Sequence, residues 1–100
     1  MIHKARAKAQ IERRAEAYRL AFGALVEAVR ERPEDPANSG VAAATEGALT
    51  ALLESLVSLE TVLVAGFEAP AAASIKATLA RAQAERDPRL ALEIADFLTA

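Results

Sequence analysis

The sequence predicts an all-α protein: an antiparallel helical bundle built from one long helical hairpin and two shorter helices after it. Three observations predict this. Apolar residues recur at helical spacing over long stretches, and nothing alternates with period two for long. Alanine, the strongest helix former, supplies 26 of the 100 residues, while β-branched residues are thinly spread. The four prolines, Pro33, Pro36, Pro70 and Pro88, fall where one apolar pattern stops and another starts.

The first helix is expected over residues 3–32. Its face repeats at Ile11, Ala15, Tyr18, Phe22, Leu25 and Val29, a heptad-type seam suited to a helix lying along another at a shallow angle. The break is ERPEDPANSG, residues 31–40, where Pro33 and Pro36 disfavour helix in the residue before each and Asp, Asn, Ser and Gly supply turn and cap chemistry. The second helix can start after Asp35, with Pro36 in its first turn, or after Ser39. The later start keeps Gly40 out of a helix interior and is preferred.

The second helix runs to about residue 65, with Leu49, Leu52, Leu53, Leu56, Leu59 and Leu63 in one arc and Glu46, Thr50, Glu54, Ser58 and Thr61 opposite. The stretch 41–67 is apolar enough to suggest a membrane span. Glu46, Glu54 and Glu60 argue against one, because each charge in hydrocarbon is costly, so no transmembrane segment is expected. Gly66 ends this helix and Pro70 sits in the first turn of the third, which turns Ile75, Leu79 and Ala82 inward. Asp87 then caps a fourth helix with Pro88 at its first position, which carries Leu90, Ile94, Phe97 and Leu98 to the end of the sequence.

At 1.5 Å per residue the first two helices are each roughly 40–45 Å long, and the short pair together roughly 42 Å. Laid end to end, the short pair makes a broken third rod along the hairpin; a compact four-helix arrangement is the alternative. With the hairpin turning near residue 36, residues 1–10 overhang as a basic helical arm. That accounts for Lys4 and Lys8 standing where the apolar seam ought to continue. Charge is uneven: residues 1–20 carry six basic and two acidic side chains, the other eighty carry six basic and twelve acidic. His3, Lys4, Arg6, Lys8, Arg13 and Arg14 are therefore the candidate contact for an anion or a partner. The segment VLVAGF, residues 62–67, is apolar nearly all round. Its Val62, Val64 and Phe67 are the candidate helix–helix interface, against the plainer reading of burial under the connection that follows.

Chemistry is nearly absent from the sequence. There is no cysteine, and His3 is the single histidine, so no thiolate or multi-histidine metal site can form and no cofactor is expected. No Glu-x-x-His pair, Gly-x-Ser-x-Gly elbow, phosphate-cradling glycine loop or dinucleotide fingerprint occurs. The glutamates of the second helix fall on its solvated face without a nucleophile beside them. A helix–turn–helix over residues 70–100 fails on chemistry, since the fourth helix offers Arg89 against Glu93 and Asp96 where a reading helix needs basic and amide side chains.

The turn RPEDPA, residues 32–37, between two amphipathic helices resembles the Pro-x-Asp-Pro turn of type III secretion needle subunits. The resemblance covers little beyond the turn. Those subunits end soon after their second helix, whereas this chain continues for more than thirty residues, and no family is assigned. The expectation is a non-enzymatic protein working through helix–helix contacts: a self-assembling subunit or a small adaptor. Its partner is another protein or a second copy, with nucleic acid or an anionic surface at the basic arm as the alternative. No secretory pattern opens the chain, so a soluble intracellular location is expected. The nine arginines against three lysines point to a bacterial or phage coding bias.

Overall fold

The structure, a computed structural model, describes residues 3–100. Four α-helices form: α1 Lys4–Glu31, α2 Asn38–Leu63, α3 Ala69–Glu85 and α4 Pro88–Thr99. Among the described residues there is no strand, and the all-α architecture is as expected.

α1 and α2 make the hairpin. Its register is marked by three side-chain bonds: Lys4 Nζ to the Ala65 carbonyl (3.2 Å), Gln10 Nε2 to Ser55 Oγ (3.3 Å) and Thr45 Oγ1 to the Ala21 carbonyl (3.2 Å). The last two serve the buried polar side chains Thr45 and Ser55, so neither hydroxyl is desolvated without a partner. In the turn, Asp35 Oδ1 accepts from the Ala37 amide (2.9 Å) and Asn38 Nδ2 donates to the Arg32 carbonyl (2.6 Å). Amides of Asn38, Ser39 and Gly40 bond three residues back, so a tight helical turn leads out of Asp35 and α2 begins before Gly40. The later start expected from Gly40 is thus corrected: the Asp35 bond to the Ala37 amide and the Asn38 tether outweigh one exposed glycine.

The leucine arc of α2 is buried along its whole length, from Leu49 to Leu63. By length and composition alone α2 would also cross a membrane. Gly66, at φ 93°, ends it in a backbone conformation that favours glycine.

The broken third rod is not what forms. Arg86 takes a left-handed conformation (φ 49°, ψ 46°); its amide bonds the Gln83 carbonyl and that of Asp87 reaches the Ala82 carbonyl (3.1 Å), which closes α3 and reverses the chain. Asp87 Oδ1 at once accepts from the amides of Arg89 and Leu90 and starts α4. The two short helices therefore lie side by side, antiparallel. Phe67, before α3, meets Phe97, near the end of α4, edge to face at 5.9 Å, which a continuous rod would forbid.

α4 packs on α1 and α2, and α3 packs on α2 and α4 from the other side. Alanines make this close: Ala7, Ala82 and Ala91 are fully buried, and Ala15 and Ala95 nearly so. α4 turns Ala91, Ile94, Ala95 and Leu98 inward, while Phe97 is 59% exposed because the Ala91–Ala95 edge sets the contact.

The molecule measures 49 × 24 × 19 Å, and its long axis is set by the hairpin. At seventeen and twelve residues, α3 and α4 reach along only part of it. Beyond Tyr18 on α1 and before Thr45 on α2 no residue is buried. One end is a four-helix bundle and the other a bare two-helix tip.

Candidate partner-binding surface

The lysines on the seam have a partner from their own chain. Ala7 is fully buried one turn into α1, so the first turns do not overhang; residues 1 and 2 of the expected arm lie outside the described residues. The length of α2 alone leaves the arm in solvent, whereas the connection to α3 and the end of α4 both close over it. Lys4 Nζ donates to the Ala65 carbonyl and stands 5.8 Å from the centre of the Phe67 ring. Lys8 Nζ donates to the main-chain oxygen of Ala100 (3.3 Å). These two oxygens lie just past the ends of α2 and α4, where carbonyls lack intrahelical donors and the helix dipole is negative. A leucine at either position would bury more surface but leave the helix end uncapped.

The other basic candidates separate from them. The exposed His3 caps α1, its Nδ1 accepting from the Ala5 amide (3.1 Å). Arg6, Arg13 and Arg14 are exposed, and no ion pair among the described residues involves them. Val62, Val64 and Phe67 are half-buried and pack against the core of their own chain, beneath the connection into α3.

The uncovered apolar surface lies at the opposite end. Phe22 is 48% exposed, Val26 37% and Val29 43%. Phe22 and Val29 were expected inside, as the continuation of Ile11, Ala15 and Tyr18. The spacing is continuous, but the cover is not. Arg19 holds Asp96 of α4 through Nη2 (2.9 and 3.2 Å), and Arg86, at the start of the α3–α4 turn, holds Glu46 (3.0 Å) and Thr50 (2.7 Å) of α2. Phe22 and Val26 stand three and seven residues beyond Arg19 on α1, and Ala42 stands one turn beyond Glu46 on α2. The groove that receives α4 at one end of the hairpin therefore runs on, empty, toward the tip. Tyr18 marks the border: it is buried, its pKa is raised by that burial and secondarily by Glu46, and Phe22 stacks on it at 6.1 Å.

The open stretch carries no charge over residues 20–26 (LAFGALV) or 36–45 (PANSGVAAAT). It is flanked by Glu27, Arg30 and the tip acids. A hollow of about 550 Å³ on another face of α1 is lined by Ala9, Glu12, Arg13, Glu16, Ala17 and Leu20, all from α1, and so has no second wall with which to enclose a small molecule. Among the described residues no three His, Cys, Asp or Glu side chains converge. What stays open is an apolar groove bounded by two helices. Compared with protein-family models, curated proteins and solved structures, the chain matches none.

Proposed function

We propose that this is a non-enzymatic interaction protein, a structural subunit or small adaptor, that takes an amphipathic helix into the open half of its α1/α2 groove. One observation carries the reading: Phe22, Val26 and Val29 extend the face that α4 covers, and they stand exposed. A helix laid there would take, at the tip, the place that α4 holds at the other end of the hairpin. In this reading α2 is a core helix of a soluble protein, supported by the burial of its leucines against three other helices.

The test is a photo-reactive amino acid at Val29 in the cells that make the protein, with Glu16 as control position. The expected result is a discrete protein adduct from Val29 that disappears when Val26→Glu is added. No adduct beyond that from Glu16 would overturn the reading.

A second reading keeps one specific observation. Arg6, Arg13 and Arg14 form an exposed set on α1 without ion pairs among the described residues, suited to a phosphate backbone; Lys4 and Lys8 are spent on helix ends. It expects duplex binding that falls with salt and is lost in the triple alanine variant. Binding unaffected by either would refute it.

A further inference from the structure

We infer that the helix received by the open groove belongs to a second copy of this chain, the two hairpin tips packing antiparallel about a two-fold axis near Val26. The inference rests on the helix-groove reading above and names its occupant.

Three features make the patch complementary to itself. The first is shape. α1 presents a ridge of Phe22, Val26 and Val29, while α2 presents Ala42 beyond Glu46, with Val41 half-buried and Thr45 buried in the same tip. About a two-fold axis the ridges of the two copies meet over the low surface at Ala42, so the same patch serves on both sides, as an isologous interface requires. The second is register. Phe22 and Val29 flank Val26 by four and three residues, so an antiparallel copy sets Phe22 against the other copy's Val29 and Val26 against its counterpart.

The third is charge. Residues 27–35 carry Glu27, Glu31, Glu34 and Asp35 against Arg30 and Arg32. Glu27 pairs with Arg30 and Asp35 with Arg32, which leaves the exposed Glu31 and Glu34 without ion pairs among the described residues. At the other end of the open groove stands the first turn of α4, with exposed Arg89 in no ion pair among the described residues and the positive end of the helix dipole beside it. Antiparallel docking brings the acidic tip of each copy to the Arg89 end of the other, twice. A parallel pair would set the two acidic tips together.

The chain has no cysteine, so a single introduced one reports the geometry cleanly. Val26→Cys is expected to form an intermolecular disulfide rapidly under mild oxidation. Leu20→Cys, 66% exposed on another face of α1, is expected to remain largely monomeric. Sedimentation equilibrium of the unmodified chain is expected to pass from 10.5 kDa toward twice that mass between micromolar and millimolar concentration. Val26→Glu, helical by circular dichroism, weakens association about thirtyfold or more. Arg89→Glu and the double change Glu31→Arg with Glu34→Arg each weaken self-association, and mixing the two variants restores a dimer.

A mass fixed at 10.5 kDa throughout, or a dimer indifferent to Val26→Glu, overturns the inference, as does equal disulfide formation from Leu20→Cys. A Val29 photo-adduct with a different protein, alongside a monomeric chain, sinks the second copy and leaves the helix-groove reading standing. Loss of both results removes both.

Discussion

Replacing Lys4 and Lys8 by methionine tests whether the start of α1 closes the bundle or hangs free. Methionine keeps the apolar stem and removes the ammonium. Each lysine donates one hydrogen bond to a main-chain oxygen at the end of another helix, at 3.2 Å for Lys4 and 3.3 Å for Lys8. A cation at a helix C-terminus stabilises by about 0.3–1 kcal/mol at the surface, and both lysines are half-exposed, so the lower part of that range applies to each. The two stand one turn apart, and their mutual repulsion of about 0.2–0.5 kcal/mol is relieved in the double variant. The double change should therefore cost about 0.1–1 kcal/mol, or at most about 8 °C in Tm for a domain of this size. Urea denaturation at low and high salt measures it, and the loss should shrink with salt as screening weakens the charge–dipole attraction. Arg6→Met, exposed and unpaired, is the control and should change stability by less than about 0.5 kcal/mol. If the double variant is as stable as the parent at low salt, the ends of α2 and α4 do not need these ammonium groups and the reasoning is refuted.

Leu56 is fully buried, and Leu56→Ala should cost about 2–5 kcal/mol in equilibrium denaturation, the range for a leucine truncated in a well-packed core. Gly47 lies inside α2 with nothing within 4 Å of where a Cβ would stand, so Gly47→Ala should stabilise by about 0.5–1 kcal/mol, read as a rise in Tm. Tyr18 is held neutral in the folded protein by burial and then by Glu46, so its folded pKa lies above that of the unfolded chain. The unfolded phenol loses its proton first as pH passes about 10, so stability should fall from there upward through the folded pKa and be unaffected by this group below. Tyr18→Phe should remove that alkaline loss, measured as the difference between the two proteins' urea midpoints at about pH 9 and about pH 11.

Local chemistry was legible where one residue decides the outcome. Asp87 caps α4 with Pro88 behind it, Gly66 sits at positive φ after α2, and the six leucines of α2 are buried where their spacing put them. What was not legible depends on contacts between segments far apart in sequence. Arg86 reverses the chain in a left-handed conformation that glycine usually fills, so no residue type announced the α3–α4 hairpin. The Ile11–Val29 spacing shows that a face is apolar but not how far along it a neighbour reaches. Hence Phe22 and Val29 read as core and stand exposed. Lys4 and Lys8 show the converse. Read alone they interrupt a seam, and their role appears once α2 and α4 end beside them. The site followed suit: the sequence pointed to residues 62–67 as sticky, and the uncovered apolar surface lies at the other end of the hairpin.

An unequal bundle should also be unequally stable, and amide hydrogen exchange can read this residue by residue. In the half containing Ile11, Leu52, Leu56 and Ala91, all fully buried, opening one helix exposes core from the others, so those amides should exchange only through global unfolding. In the tip, α1 beyond Tyr18 and α2 before Thr45 have no buried residue and only each other to pack on. Helical stretches of that length are marginal in water without tertiary support, so amides of residues 22–31 and 38–44 should open locally, at a small fraction of the global free energy. Occupation of the groove changes this. A helix laid on Phe22, Val26 and Val29 supplies the missing neighbours, so tip protection should rise with protein concentration in the parent chain and stay low in Val26→Glu. The four-helix half should barely change in either. Uniform protection along α1 at the lowest concentration would mean that the tip is stable alone, and the physical need for a partner there would disappear.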